Sequence, residues 1–205
     1  GNYAQVLQYY EQSLRIAQEI GNKAGEGTTL NNIGLIYDAR GEYGTALKYY
    51  KKSLKITRKI GDRKMEGTIL NNIGQMYDAQ GKYDTALKYL QQSLEMRQEI
   101  SDRAGEGTTL NNIGLAYHKQ GNHAPALQHY EQSLTITQEI GDKAVEAVTS
   151  WNIGLIYHNQ GDLPKTKQYI SRAVHITEEI GHPRREEYRQ ALEALHTQLQ
   201  DQQVR

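Results

Sequence analysis

The apolar positions of this chain recur with the period of a helix, and the whole pattern restarts about every 40 residues. Leu30, Ile33, Gly34 and Tyr37 are spaced i, i+3, i+4 and i+7, which makes one stripe of an amphipathic helix. Gly41 ends that helix. A second stripe follows through Ala46, Leu47, Tyr50, Leu54, Thr57 and Ile60, after which Gly61 suits a left-handed cap and Asp62 the N-cap of the next helix. Asn31-Asn32-Ile33-Gly34 returns as Asn71-Asn72-Ile73-Gly74, as Asn111-Asn112-Ile113-Gly114 and, with one change, as Trp151-Asn152-Ile153-Gly154. The register never slips, and no segment shows the period-two alternation of a strand. The pattern therefore predicts an all-α chain of helix, turn, helix, turn.

Gly34, Ala46 and their counterparts put small residues where the two helices of a unit would cross. A mid-helix glycine costs about 1 kcal/mol in propensity, so its recurrence implies close backbone contact. One such hairpin cannot bury its own stripe, whereas stacked hairpins bury each against the next.

The run Leu30-Asn31-Asn32-Ile33-Gly34-x-x-Tyr37-x-x-x-Gly41-x-Tyr43-x-x-Ala46-Leu47-x-Tyr49-Tyr50-x-x-Ser53-Leu54 resembles the tetratricopeptide repeat. The long period and the Gly-Asp linker, in place of the usual terminal proline, are similar to the subgroup found in kinesin light chain, the spindle adaptor LGN and bacterial signalling arrays. The resemblance implies one right-handed α-solenoid domain over residues 1–205. Residues 1–22 would be the second helix of a truncated repeat, residues 23–62, 63–102, 103–142 and 143–182 four full repeats, and residues 183–205 a capping helix. That last segment lacks the Asn-Ile-Gly motif but keeps Tyr188, Ala191, Leu192, Leu195 and Leu199 on one stripe. Gly1-Asn2-Tyr3 aligns with Gly41-Glu42-Tyr43, so the chain reads as a piece of something longer, with its natural end expected near Arg205.

In such repeats the first helix lines a concave groove that holds a protein or an extended peptide. Carried onto this chain, the partner-binding positions are Asn31, Leu35, Asp38, Asn71, Gln75, Asp78, Asn111, Leu115, His118, Trp151, Leu155 and His158, with Thr28, Thr68, Thr108 and Val148 beside them. An exposed row of Asn31, Asn71 and Asn111 could hydrogen-bond a peptide backbone, or bond only to one another and to water. Trp151 either anchors a partner or packs under the capping helix. Asn32, Asn72, Asn112 and Asn152 are expected to satisfy neighbouring backbone. The Lys and Arg clamp for a terminal carboxylate, known in the family, has no basic match here.

Composition narrows the chemistry further. Lys plus Arg balance Asp plus Glu, so no global field attracts a polyanion and nucleic acid is an unlikely partner. With no cysteine there is no disulfide framework and no thiolate chemistry, which fits a cytoplasmic protein. No run is long and apolar enough to span a bilayer. All seven histidines lie in the second half of the chain, where His118 and His158 recur in step; they read as surface residues and not as metal ligands. Glu26, Glu66, Glu106 and Glu146 come one per repeat, so they make no catalytic pair. With no phosphate loop, nucleophile elbow or triad, no enzymatic activity and no cofactor are expected. One second helix is basic through Lys48, Lys51, Lys52, Lys55, Arg58 and Lys59, either as a solvated face or as a contact for an acidic partner or RNA. Self-association through Tyr3, Val6, Leu7 and Tyr10, where a covering helix is missing, is the alternative to partner binding.

Overall fold

The computed structural model describes the backbone of residues 3–203 and the side chains of residues 3–195 and 197. The expectations for Gly1, Asn2, Arg205 and the Leu199 side chain lie outside the described residues. Among those residues there are ten helices and no strand. They are α1 (Tyr3–Glu19), α2 (Lys23–Ala39), α3 (Tyr43–Ile60), α4 (Arg63–Ala79), α5 (Tyr83–Glu99), α6 (Arg103–Lys119), α7 (His123–Ile140), α8 (Lys143–Asn159), α9 (Leu163–Glu179) and α10 (Arg185–Gln203). The protein is an all-α solenoid. Its contacts divide it into two compact units, residues 1–105 and 106–205.

The turns follow the punctuation in the sequence. Gly61 and Gly141 take φ of 72° and close α3 and α7 in the left-handed region, where an L side chain is strained. Asp62 and Asp142 then accept a hydrogen bond from the backbone N–H three residues on, at 3.0 and 3.1 Å, and start the next helix.

In the first unit α2 packs on α3 and α4 on α5, and the glycines explain how closely. A Cβ added at Gly34 would stand 2.7 Å from the Tyr50 ring, and one at Gly74 would stand 2.6 Å from Leu90. Ser53 Oγ donates to the Gly27 carbonyl at 2.6 Å and Ser93 Oγ to that of Gly67 at 2.8 Å, pinning each second helix to its first. Tyr37 stacks on Tyr49 and Tyr77 on Tyr89, with ring centroids 5.4 and 5.6 Å apart. Beneath them Ala46, Tyr50, Leu54, Ile69, Leu70, Ile73 and Met76 form a continuous core.

The second unit repeats these devices with substitutions. Gly114 faces Tyr130 as Gly34 faces Tyr50, and Ser133 Oγ reaches the Gly107 carbonyl at 2.8 Å. In the last hairpin the serine and glycine become Ala173 and Ala147, both fully buried, so an apolar contact stands where the others have a hydrogen bond. Tyr188 of α10 is fully buried in a cluster with Trp151, Ile170, Ala173 and Val174. Helix α10 packs on α9 through this cluster.

Candidate functional site: the first-helix face and its apolar pocket

On a helix advancing about 100° per residue, Leu30, Ile33, Gly34 and Tyr37 cluster within about 100°. Measured from Leu30, Asn31 and Asp38 sit at about 80–100°, whereas Thr28, Leu35 and Ala39 sit at about 140–180°. The structure exposes mainly that last sector, His158 being an exception. Thr28, Leu35 and Ala39 are exposed on α2, and Gln75 and Ala79 on α4. In the second unit Leu155 and Asn159 are exposed on α8, while Leu115 of α6 is half-buried.

The asparagine row is not on that face. Asn31, Asn71 and Asn111 are buried, between 4% and 7% exposed. Asn31 Oδ1 accepts a hydrogen bond from Asn72 Nδ2 at 3.0 Å. In the second unit Asn111 Oδ1 accepts from Asn152 Nδ2 at 3.2 Å and from Thr149 Oγ1 at 3.2 Å. The expected exposed row is therefore corrected to amide links between successive first helices. The expectation for Asn72 and Asn152 is corrected with it, because these amides donate to a side chain and not to backbone. A solenoid flanks each first helix on both sides, so a residue 100° from the stripe faces the next repeat and a buried amide there needs a partner.

Trp151 occupies the asparagine position of the last full repeat, where the link ends. It is 8% exposed and lies flat on Tyr188, with centroids 3.9 Å apart and planes within 7°. The exposed-anchor expectation gives way to packing under α10. One wall of the indole still borders a cavity of about 260 Å³ lined by Trp151, Leu155 and His158 of α8, Thr166 and Ile170 of α9, and Ala191, Ala194 and Leu195 of α10. The α9 and α10 linings were not foreseen; the apolar stripe through Ala191 and Leu195 opposite Trp151 is the signal that could have found them.

The polar positions differ among themselves. Asp38 is half-buried, and burial pushes its carboxyl up, partly offset by the Tyr50 hydroxyl. Asp78 is also half-buried, and His158 is exposed. His118 is half-buried and meets His123 edge-on, with centroids 5.4 Å apart. Burial first, then the neighbouring imidazole, holds its pKa below the ordinary histidine value. His129, stacked on Tyr117 at 5.5 Å, is lowered by burial as well. Among the described residues no group of three His, Asp or Glu side chains could hold a metal ion. The recurring glutamates end in ion pairs: Glu66 takes Arg58 at 2.7 Å, and Glu146 takes Arg172 at 2.7 Å. Among the described residues no helix is long and apolar enough to cross a membrane.

Solved structures share this architecture at low sequence identity. BtubC (BKLC) from P. vanneervenii superposes with a TM-score of 0.85 at 16% identity, over 99% of this chain and 86% of that one. Aspartyl phosphate phosphatase F from Bacillus subtilis gives 0.82 at 14% identity over 92% of this chain, which spans 49% of that protein. A signal transduction ATPase with numerous domains and a tetratricopeptide repeat sensor, from Pyrococcus horikoshii, gives 0.72 at 20% identity, over 89% of this chain and 29% of that one. No curated protein matches the chain by sequence. The sequence profile of the tetratricopeptide repeat matches residues 1–59 and 65–139, more than half of the chain, so this protein belongs to the tetratricopeptide repeat family.

Proposed function

We propose that this chain is a non-catalytic scaffold that holds an extended segment of a protein partner along the exposed sector of the first helices α6 and α8. An apolar side chain of the partner would enter the pocket beside Leu155. The observation that carries this reading is the pocket itself, a cavity walled by an indole and aliphatic side chains and bordered by an exposed leucine. Its volume lies below the range of about 300–1,000 Å³ usual for small-molecule sites, which suits a single side chain better than a metabolite. Leu115 of α6 offers a further apolar contact, and the same sector of the first unit, with Leu35 and Gln75, is a candidate surface in its own right. Asp38, Asp78, His118 and His158 border them as polar groups. Asn31, Asn71 and Asn111 act indirectly, by fixing the spacing of the helices that carry those contacts. The repeat sensor of the Pyrococcus ATPase supports a place for the chain as the sensor or adaptor part of a larger signalling protein.

The test uses peptides selected from a random display library against the whole chain. Replacing Leu155 by Asp removes an apolar contact worth about 1.5–3 kcal/mol and should weaken the selected peptides about 10- to 150-fold with helicity unchanged. Unchanged affinity would dismiss the pocket as the anchor.

Self-association is a second reading, and α1 carries it. Tyr3, Val6, Tyr9 and Ile16 of α1 and Ile20 just after it are exposed, although Leu7 is buried and Tyr10 half-buried. Replacing Val6, Ile16 and Ile20 by glutamate should leave sedimentation unchanged if that face is only solvated. A shift toward a smaller species would establish self-association through α1.

A further inference from the structure

A second cleft lies in the first unit, formed by the second helices α3 and α5 over the buried side of α4. It has a volume of about 820 Å³. Lys51, Lys55 and Arg58 enter it from α3 and Lys88 from α5, with Leu54, Leu70 and Ile73 at its apolar floor and Thr85, Tyr89 and Gln92 on its flank. Arg58 is held by the buried Glu66 at 2.7 Å. Lys51, Lys55 and Lys88 form no ion pair with any described residue. The repeats themselves supply a control. Register places Glu11, Arg15, Gln18 and Lys48 at the same four positions between α1 and α3, and Glu131, Thr135, Gln138 and Gln168 at those between α7 and α9. Folding of the hairpin does not require cations there, because the α7–α9 copy manages with glutamate and neutral side chains, and the α1–α3 copy keeps only Arg15 and Lys48.

We infer that the α3–α5 cleft is a docking site for an acidic peptide segment of a partner, separate from the first-helix face. Carboxylates of the segment meet Lys51, Lys55 and Lys88, and an apolar side chain lies against the half-buried Tyr89 at the edge of the closed floor of Leu54, Leu70 and Ile73. The half-buried Tyr89 ring in the cleft wall favours a peptide over a nucleic-acid backbone, which would bring phosphates but no apolar side chain to lie on it. The balanced net charge of the chain confines the attraction to this cleft.

The probe is a fluorescein-labelled oligoglutamate with one central leucine, titrated into the whole chain and followed by anisotropy. Each exposed contact of this kind is worth about 1.4- to 5-fold and charge reversal adds repulsion, so the triple variant Lys51→Glu, Lys55→Glu, Lys88→Glu should bind on the order of tenfold more weakly. A variant with Lys59, Lys64 and Lys167 reversed has the same net charge and should bind as the unmodified protein does. Circular dichroism of both variants should match it too. Binding should also weaken as salt is raised, and the glutamine version of the peptide should not bind. Equal loss in both triple variants, equal binding of the glutamine peptide, or no binding of the oligoglutamate at all would overturn the inference. So would loss of binding on Leu155→Asp alone, which would move the peptide to the first-helix face. Failure of the first-helix proposal, by contrast, is read from the selected peptides and leaves this titration untouched.

Discussion

Ser101 is the one non-glycine described residue with positive φ, at 56°, where the corresponding turns carry Gly21, Gly61, Gly141 and Gly181. A left-handed L residue costs about 1–2 kcal/mol, while glycine adds some backbone entropy to the unfolded chain. Ser101→Gly is therefore expected to stabilise the protein by about 0.5–1 kcal/mol, seen as a higher midpoint in thermal or urea unfolding. A lower midpoint would mean that the serine hydroxyl makes a contact worth more than the strain. Single residues were the least legible scale. The motif Asn-Asn-Ile-Gly was plain, but the burial of Asn31, Asn71 and Asn111 was not, because periodicity within one helix does not show that both its flanks are covered by neighbours; for Trp151, packing under the last helix was one of the two readings open and is the one the structure takes.

Elements were legible almost throughout, since glycine, aspartate and the apolar stripes mark the same boundaries three or four times over. The close crossing inferred from Gly34 is realised as contact with the Tyr50 ring. Gly34→Ala sets overpacking of about 1–3 kcal/mol against a propensity gain of about 1 kcal/mol. Net destabilisation of about 1 kcal/mol is expected, whereas Gly44→Ala, with open space at its Cβ, should stabilise α3. Equal effects at the two sites would contradict the close-packing account. The histidines of the second unit add a pH dependence. His118 and His129 have folded pKa values below their unfolded ones, so their neutral forms fit the fold. Stability from this source is present above the ordinary histidine value of about 6.5 and is lost as pH falls through and below it. A variant with glutamine at both positions should lose less stability between neutral and mildly acid pH, as urea midpoints would show.

For the whole molecule, the all-α solenoid and the family followed from the 40-residue register, which no insertion breaks. The pocket beside Leu155 did not, because it needs α9 and α10 to meet α8 in space, and each contributes residues that look like ordinary core in sequence. The second helices are equally uninformative about the α3–α5 cleft until α4 is seen as its floor. The central claim is that a partner lies on the exposed sector of α6 and α8, with an apolar side chain in the pocket beside Leu155. Photo-crosslinking tests it most directly: display-selected peptides carrying a benzophenone residue are bound to the whole chain, irradiated, and the attachment sites read by mass spectrometry. The account predicts attachment within α6 and α8, around Leu115 and Leu155, and loss of the α8 product in Leu155→Asp. Attachment confined to α1, or to the second helices α3, α5, α7 and α9, would contradict it.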